Sequence, residues 1–173
     1  HTEKVKKIIK KNIIGISKVS SERLLDEFKK IIKSKNFLNL FKDSFCAEII
    51  KIIFPQFKYF ERLKKLNKFA ELNLSEVDYV FLISLMIIDE TDNVDYFIYK
   101  FKLSNLEKKR ILFLKNFYNE KKDNNFFTEN NLLKVLYHNG KQSIRDLLYF
   151  ETFLSKNVNK KLIYLLDSFK DKE

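Results

Sequence analysis

Between Phe69 and Tyr99 the chain carries no lysine or arginine, although 34 of its 173 residues are one or the other. Inside that window Val77, Val80, Phe81, Leu82, Ile83, Leu85, Met86, Ile87 and Ile88 make a segment that is apolar nearly all round. A helix without a polar face is a buried one, so the other segments must be arranged to cover it. The longest apolar run, Val80 to Ile88, is broken by Ser84 and is far too short to span a bilayer, which takes about 20 apolar residues. No targeting or membrane segment is expected.

Punctuation in the sequence decides what the covering segments are. Two glycines and one proline in the whole chain argue for helices with short joints, not for many-turned β-structure. Residues 2–14 place Val5, Ile8, Ile9 and Ile13 on one face of a helix, with lysines around the rest. That helix is expected to stop at Gly15, glycine being the usual residue just past a helix end. Ser20 reads as the N-cap of a helix over residues 21–33, with Glu22 favourable to its dipole and Leu24, Leu25, Phe28, Ile31 and Ile32 inward. Two short helices follow, Phe37–Asp43 and Phe45–Phe54. Pro55 is expected to open a longer helix with Phe57, Phe60, Leu63, Leu66 and Ala70 inside and Arg62, Lys64, Lys65 and Lys68 outside. Ser75-Glu76 reads as the cap of the central helix, and Asp89-Glu90-Thr91-Asp92 as its solvated exit, a loop with an N-cap.

Residues 93–101 read as a short aromatic helix. Ser104 and Glu107 have the spacing of a capping box for a helix running to about Lys122, with Leu106, Ile111, Leu114 and Phe117 inward. Asp123-Asn124-Asn125 reads as a loop. Thr128-Glu129 begins a helix that Asn139-Gly140 ends; Lys141 begins another, broken at Asn157; Lys160 to Phe169 closes the chain. The expectation is an all-α fold, an irregular multi-helix array of about ten helices with no sheet.

Net charge is +11, unevenly spread. Residues 1–35 and 100–173 each sum to +7, whereas residues 36–99 sum to −3. Basic ends around an acidic middle suit a polyanion partner, through phosphate neutralisation and counterion release. The alternative is a lysine-rich surface set by genome composition. Only four arginines occur, Arg23, Arg62, Arg110 and Arg145, so each marks a position that wants a planar fork for carboxylate or phosphate. The cations Lys108, Lys109 and Arg110 crowd a helix N-terminus, against its dipole, which suggests an anion there. Lys141 and Arg145 open the helix after Gly140.

Catalytic constellations are missing. Neither glycine opens a phosphate loop, His138 has no partner histidine beyond His1, and no Asp-x-Asp pair is present for two-metal chemistry. The single Cys46 excludes an internal disulfide and a cysteine metal cluster, in keeping with a reducing, cytoplasmic setting. His1 reads as the remnant of a tag, and the chain as a piece of something larger. The residues alone give a basic, all-helical binding or scaffold region without a catalytic, metal or cofactor site.

Three stretches carry a family resemblance. The corner from Ile16-Ser17 through Ser20-Ser21-Glu22-Arg23-Leu24-Leu25-Asp26-Glu27-Phe28-Lys29-Lys30-Ile31-Ile32 resembles the Ile-Ser-x-Glu-Arg-x-x-x-Glu-x-x-Lys-Ile motif of the bacterial tRNA nucleotidyltransferase and poly(A) polymerase family. It departs from that motif by the residues between Ser17 and the later serines. Leu103-Ser104-Asn105-Leu106-Glu107-Lys108-Lys109-Arg110 is similar to a Leu-Ser-Asn segment of the family's helical body. Asn139-Gly140 through Arg145-Asp146 is similar to its Gly-x-x-x-x-Arg-Asp segment, and all three occur in the family's order.

The resemblance implies that residues 1–33 are the end of a helical neck and 34–173 a helical body and tail. These would hold tRNA or another RNA and set its 3′ end toward a nucleotidyltransferase head. That head, with its Gly-Ser element, Mg2+-binding Asp-x-Asp pair and nucleoside triphosphates, has no counterpart in this sequence. Glu22 and Arg23 inherit the structural role of the corner. Lys108, Lys109, Arg110, Lys141 and Arg145 are the candidate RNA contacts. A free-standing helical protein–protein scaffold is the alternative, and the exposed first helix leaves room for a homodimer.

Overall fold

The computed structural model describes residues 3–34, 37–63, 66, 78–120, 126–154, 164, 165 and 168. Among them are ten α-helices, one 3-10 helix and no strand. The order is α1 (Glu3–Asn12), a 3-10 helix (Ile13–Lys18), α2 (Ser21–Ile32), α3 (Phe37–Lys42), α4 (Ser44–Ile53), α5 (Phe60–Leu63), α6 (Tyr79–Ile87), α7 (Asn93–Phe101), α8 (Asn105–Glu120), α9 (Glu129–Asn139) and α10 (Lys141–Leu154). The Ser75-Glu76 cap, Lys64, Lys65, Lys68, Ala70, Lys122, the 123–125 loop, the break at Asn157 and the Lys160–Phe169 helix lie outside the described residues, as does His1.

α6 is the centre. Every residue from Val80 to Ile87 is buried, and α5, α7, α8 and α10 all pack on it. The buried Ser84 hydroxyl donates to the Val80 carbonyl at 2.8 Å and so costs the core nothing unpaired. A buried helix must also satisfy the polar groups at its ends. At the N-terminus Asp78 caps it, accepting from the Phe81 amide at 3.1 Å. At the C-terminus four successive carbonyls each find a donor. The Arg62 guanidinium donates to Leu85 (3.0 Å) and Ile88 (2.8 Å). The Lys58 and Tyr59 amides donate to Met86 (3.0 and 3.2 Å), and the Asn93 side chain donates to Ile87 (2.8 Å).

Those bonds explain why Pro55 does not open a long helix. Pro55 and Gln56 form a turn, residues 57–59 run irregularly, and α5 begins only at Phe60. The Lys58 and Tyr59 amides are committed to Met86 and are thereby unavailable to a helical ladder. The Arg62 guanidinium carbon lies over the Tyr59 ring, 3.9 Å from its centroid, at the end of α6 where the dipole favours a cation.

Beside α6 lies a phenylalanine cluster. Phe54 and Phe57 stack at 4.8 Å, Phe28 reaches them at 5.0 and 4.9 Å, and Phe97 and Phe101 approach each other at 4.5 Å. Each such pair is worth about 0.5–1.5 kcal/mol beyond its area. Through Leu25, Phe28 and Ile32, α2 enters this same core.

Three further expectations change. The 3-10 helix runs straight through Gly15, whose φ is not positive; only Gly140 among the described glycines has positive φ, 82°. α1 docks by its Lys6, Ile9 and Lys10 face, continued by Ile13 of the 3-10 helix, leaving Val5 (41%) and Ile8 (52%) exposed. Leu106 is 78% exposed because it stands in the first turn of α8, ahead of that helix's first buried residue, Ile111.

The exit of α6 is solvated at Glu90, Thr91 and Asp92, as expected, but Asp89 is buried. It accepts from Lys58 at 2.8 Å and from the Thr91 amide and hydroxyl at 2.9 and 2.6 Å. Burial pushes its carboxyl up, but these hydrogen bonds outweigh that and hold it below the ordinary carboxylate value.

Candidate nucleic-acid interface

α1 is held loosely and charged on its outside. Glu3 in the first turn and Lys10 and Lys11 in the last agree with the helix dipole. The ammonium groups of Lys6 and Lys10 sit over the Phe45 ring, 5.7 and 5.9 Å from its centroid, and Lys10 also meets Glu48 at 3.4 Å. Lys4, Lys7 and Lys11, spaced i, i+3, i+7, fall on a different face. All three are exposed and make no ion pair among the described residues. Exposed Lys18 follows in the 3-10 helix.

The corner after it is a joint. Ser20 accepts from the Arg23 amide at 3.4 Å, as an N-cap does. Glu22 pairs at 2.5 Å with Lys102, which holds its carboxyl below the usual range. Lys102 is itself the left-handed residue that ends α7, with φ 48°, so the start of α2 is tied to the α7–α8 turn. Further along, Lys29 bridges to Glu107 at 3.1 Å and lies over the Tyr79 ring at 4.8 Å. Glu107 meanwhile closes its capping box, accepting from the Ser104 amide at 2.7 Å. The Arg23 side chain stays exposed.

The five cations proposed for RNA contact divide. Lys108 and Lys109 are exposed in the first turn of α8, which the Lys29–Glu107 bridge sets beside α2. Lys141 and Arg145 are half-buried at the start of α10, and both have partners. Arg110 turns inward instead. Its Nε and Nη2 donate to Asp146 at 2.8 and 3.0 Å, and Nη1 and Nη2 donate to Asp78 at 2.5 and 3.0 Å. Burial works against the guanidinium charge, but the two carboxylates outweigh it and drive its pKa up. With its fork spent on carboxylates, Arg110 locks α6, α8 and α10 together and, unlike the expectation, does not offer that fork to a phosphate. Among the described residues no group of three or more His, Cys, Asp or Glu could hold a metal ion. No described helix is long and apolar enough to cross a membrane.

Residues 2–61 match the family model described as the probable RNA and SrmB-binding site of polymerase A. The matched segment runs from α1 into α5 and holds fourteen lysines or arginines against seven acidic residues. It includes the corner, Lys4, Lys7 and Lys11, and excludes Lys108, Lys109, Lys141 and Arg145. No curated protein and no solved structure matches the chain. The lysine face of α1 is the part of the surface that the residue-by-residue candidates missed. Its i, i+3, i+7 spacing was present in the sequence, but the neighbouring isoleucines pointed to a different docking face.

Proposed function

We propose that this chain binds RNA, and that it does so as the neck-end, body and tail of a tRNA nucleotidyltransferase or poly(A) polymerase. In that role it presents an RNA 3′ end to a catalytic head. The observation that carries the reading is the coincidence of the polymerase A match with the exposed Lys4, Lys7 and Lys11 face. Unpaired ammonium groups on a helix surface neutralise phosphates without reading sequence, and they can track a backbone. Lys18, Arg23 and then Lys108 and Lys109 extend the surface across the joint; Lys141 and Arg145 would lengthen it at the other end. Mg2+ and nucleoside triphosphates belong, in this reading, to the head.

Fluorescence anisotropy with labelled tRNA and oligo(A) over a salt series tests the proposal. Affinity is expected to fall log-linearly with salt, with a slope of roughly −0.7 to −0.9 for each phosphate contacted. Affinity independent of salt, or no binding at low salt, overturns it.

A protein-binding reading has one observation in its favour. Ile13, Ile14, Ile16, Val19, Leu24 and Ile52, all in the matched segment, line an open groove of about 490 Å³ that Lys100 completes, and the family's description names SrmB beside RNA. Retention of a partner protein at high salt, where RNA is released, would favour that reading.

A further inference from the structure

An open pocket of about 330 Å³ lies between α8 and α9, outside the matched segment. Two helix faces line it: Phe113, Asn116 and Phe117 from α8, and Asn131, Lys134 and His138 from α9. Phe126 adds a third ring, 5.1 Å from that of Phe117 and inclined to it by 60°. The volume is at the lower end of the ~300–1,000 Å³ usual for small-ligand sites.

Its chemistry is specific. Aromatic rings give a flat group something to stack on. Side-chain amides each offer a donor and an acceptor side by side, which suits the edge of a nucleobase. Asn116, Lys134 and His138 are exposed, and their side chains make no hydrogen bond or ion pair among the described residues. Asn131 spends one amide proton on the Phe126 carbonyl at 3.0 Å, which fixes its orientation on the wall. The Glu120 carboxylate also lines the pocket. A negative wall disfavours a phosphate inside, while Lys134 offers a phosphate a place at the rim.

We propose that this pocket takes one unstacked base of a single-stranded RNA, with the adjoining phosphate at Lys134. The inference rests on the RNA-binding reading and deepens it: RNA held on the lysine face would be gripped a second time through a base.

The test uses the full chain and a single-stranded oligo(A) carrying 2-aminopurine. Fluorescence reports the stacking of the base, and anisotropy reports affinity. Phe113→Ala and Asn116→Ala are expected to weaken binding roughly 5-fold or more, as loss of a stacked base does, without changing the salt slope. Lys134→Ala should make the slope shallower by about 0.7. Should Phe113→Ala fail to fold, Asn116→Trp, exposed on the surface and large enough to fill the pocket, decides the matter. Variants that bind and quench as the parent chain does overturn the pocket and leave the RNA-binding reading standing. If the chain binds no RNA, that reading fails, and titration with free AMP followed by amide NMR decides the pocket alone. Shifts confined to α8 and α9 support it; no shifts overturn it.

Discussion

Arg110 shows how one side chain is chosen for its shape. Its planar fork meets two carboxylates, one 32 residues before it in the chain and one 36 after, and lysine could not do so. Arg110→Met leaves Asp146 buried without its partner and should cost about 3–5 kcal/mol in urea unfolding. Lys108→Ala or Lys109→Ala should leave stability within about 0.5 kcal/mol. The scarcity of arginine marked Arg110 as special in the sequence. It could not say whether the fork met a carboxylate of the fold or a phosphate of a ligand, because the two make the same hydrogen bonds. Asp89 gives a second test at this scale. Its carboxyl is depressed below 3.8 in the folded chain, so its stabilisation is complete above that pH and is lost as pH falls through the lower folded value. Asp89→Asn should cost about 1–3 kcal/mol near neutrality, and that difference should shrink in unfolding curves taken below pH 3.8.

The helices were legible wherever their signals are local. Ser20, Thr128 and the Ser104–Glu107 box act within three residues of themselves, and the structure has all three in place. Pro55 and the burial of Asp89 were not legible, because the groups that settle them, Met86 and Lys58, lie some thirty residues away. The two described glycines make a paired prediction. Gly140 has φ 82° and ψ 168°, a region nearly closed to side chains, so Gly140→Ala should destabilise by about 1–3 kcal/mol although no atom lies within 4 Å of the added methyl. Gly15 has the same open space but ordinary helical backbone. Gly15→Ala should therefore stabilise by about 0.4–1 kcal/mol through the unfolded state. Thermal melts of the two variants should move in opposite directions.

Across the whole molecule, charge and core occupy different places. The apolar run Val80–Ile88 becomes the centre of the fold, and the lysines gather at its margin. The all-helical class was readable from periodicity and from the scarcity of glycine and proline. The position of the candidate RNA surface was not, because which face of α1 turns outward is set by Phe45 and Glu48, more than thirty residues on. Lys4, Lys7 and Lys11 changed together to alanine should make the salt slope of RNA binding shallower by about 2 to 3 while leaving the melting temperature nearly unchanged, since α1 buries no residue. That last feature has a consequence in time. Amide protons of α6 can exchange with solvent only when the whole molecule opens, whereas those of α1 can exchange by local fraying. Bound RNA should therefore register first as slowed deuterium uptake in α1, against a centre that keeps its own slow clock.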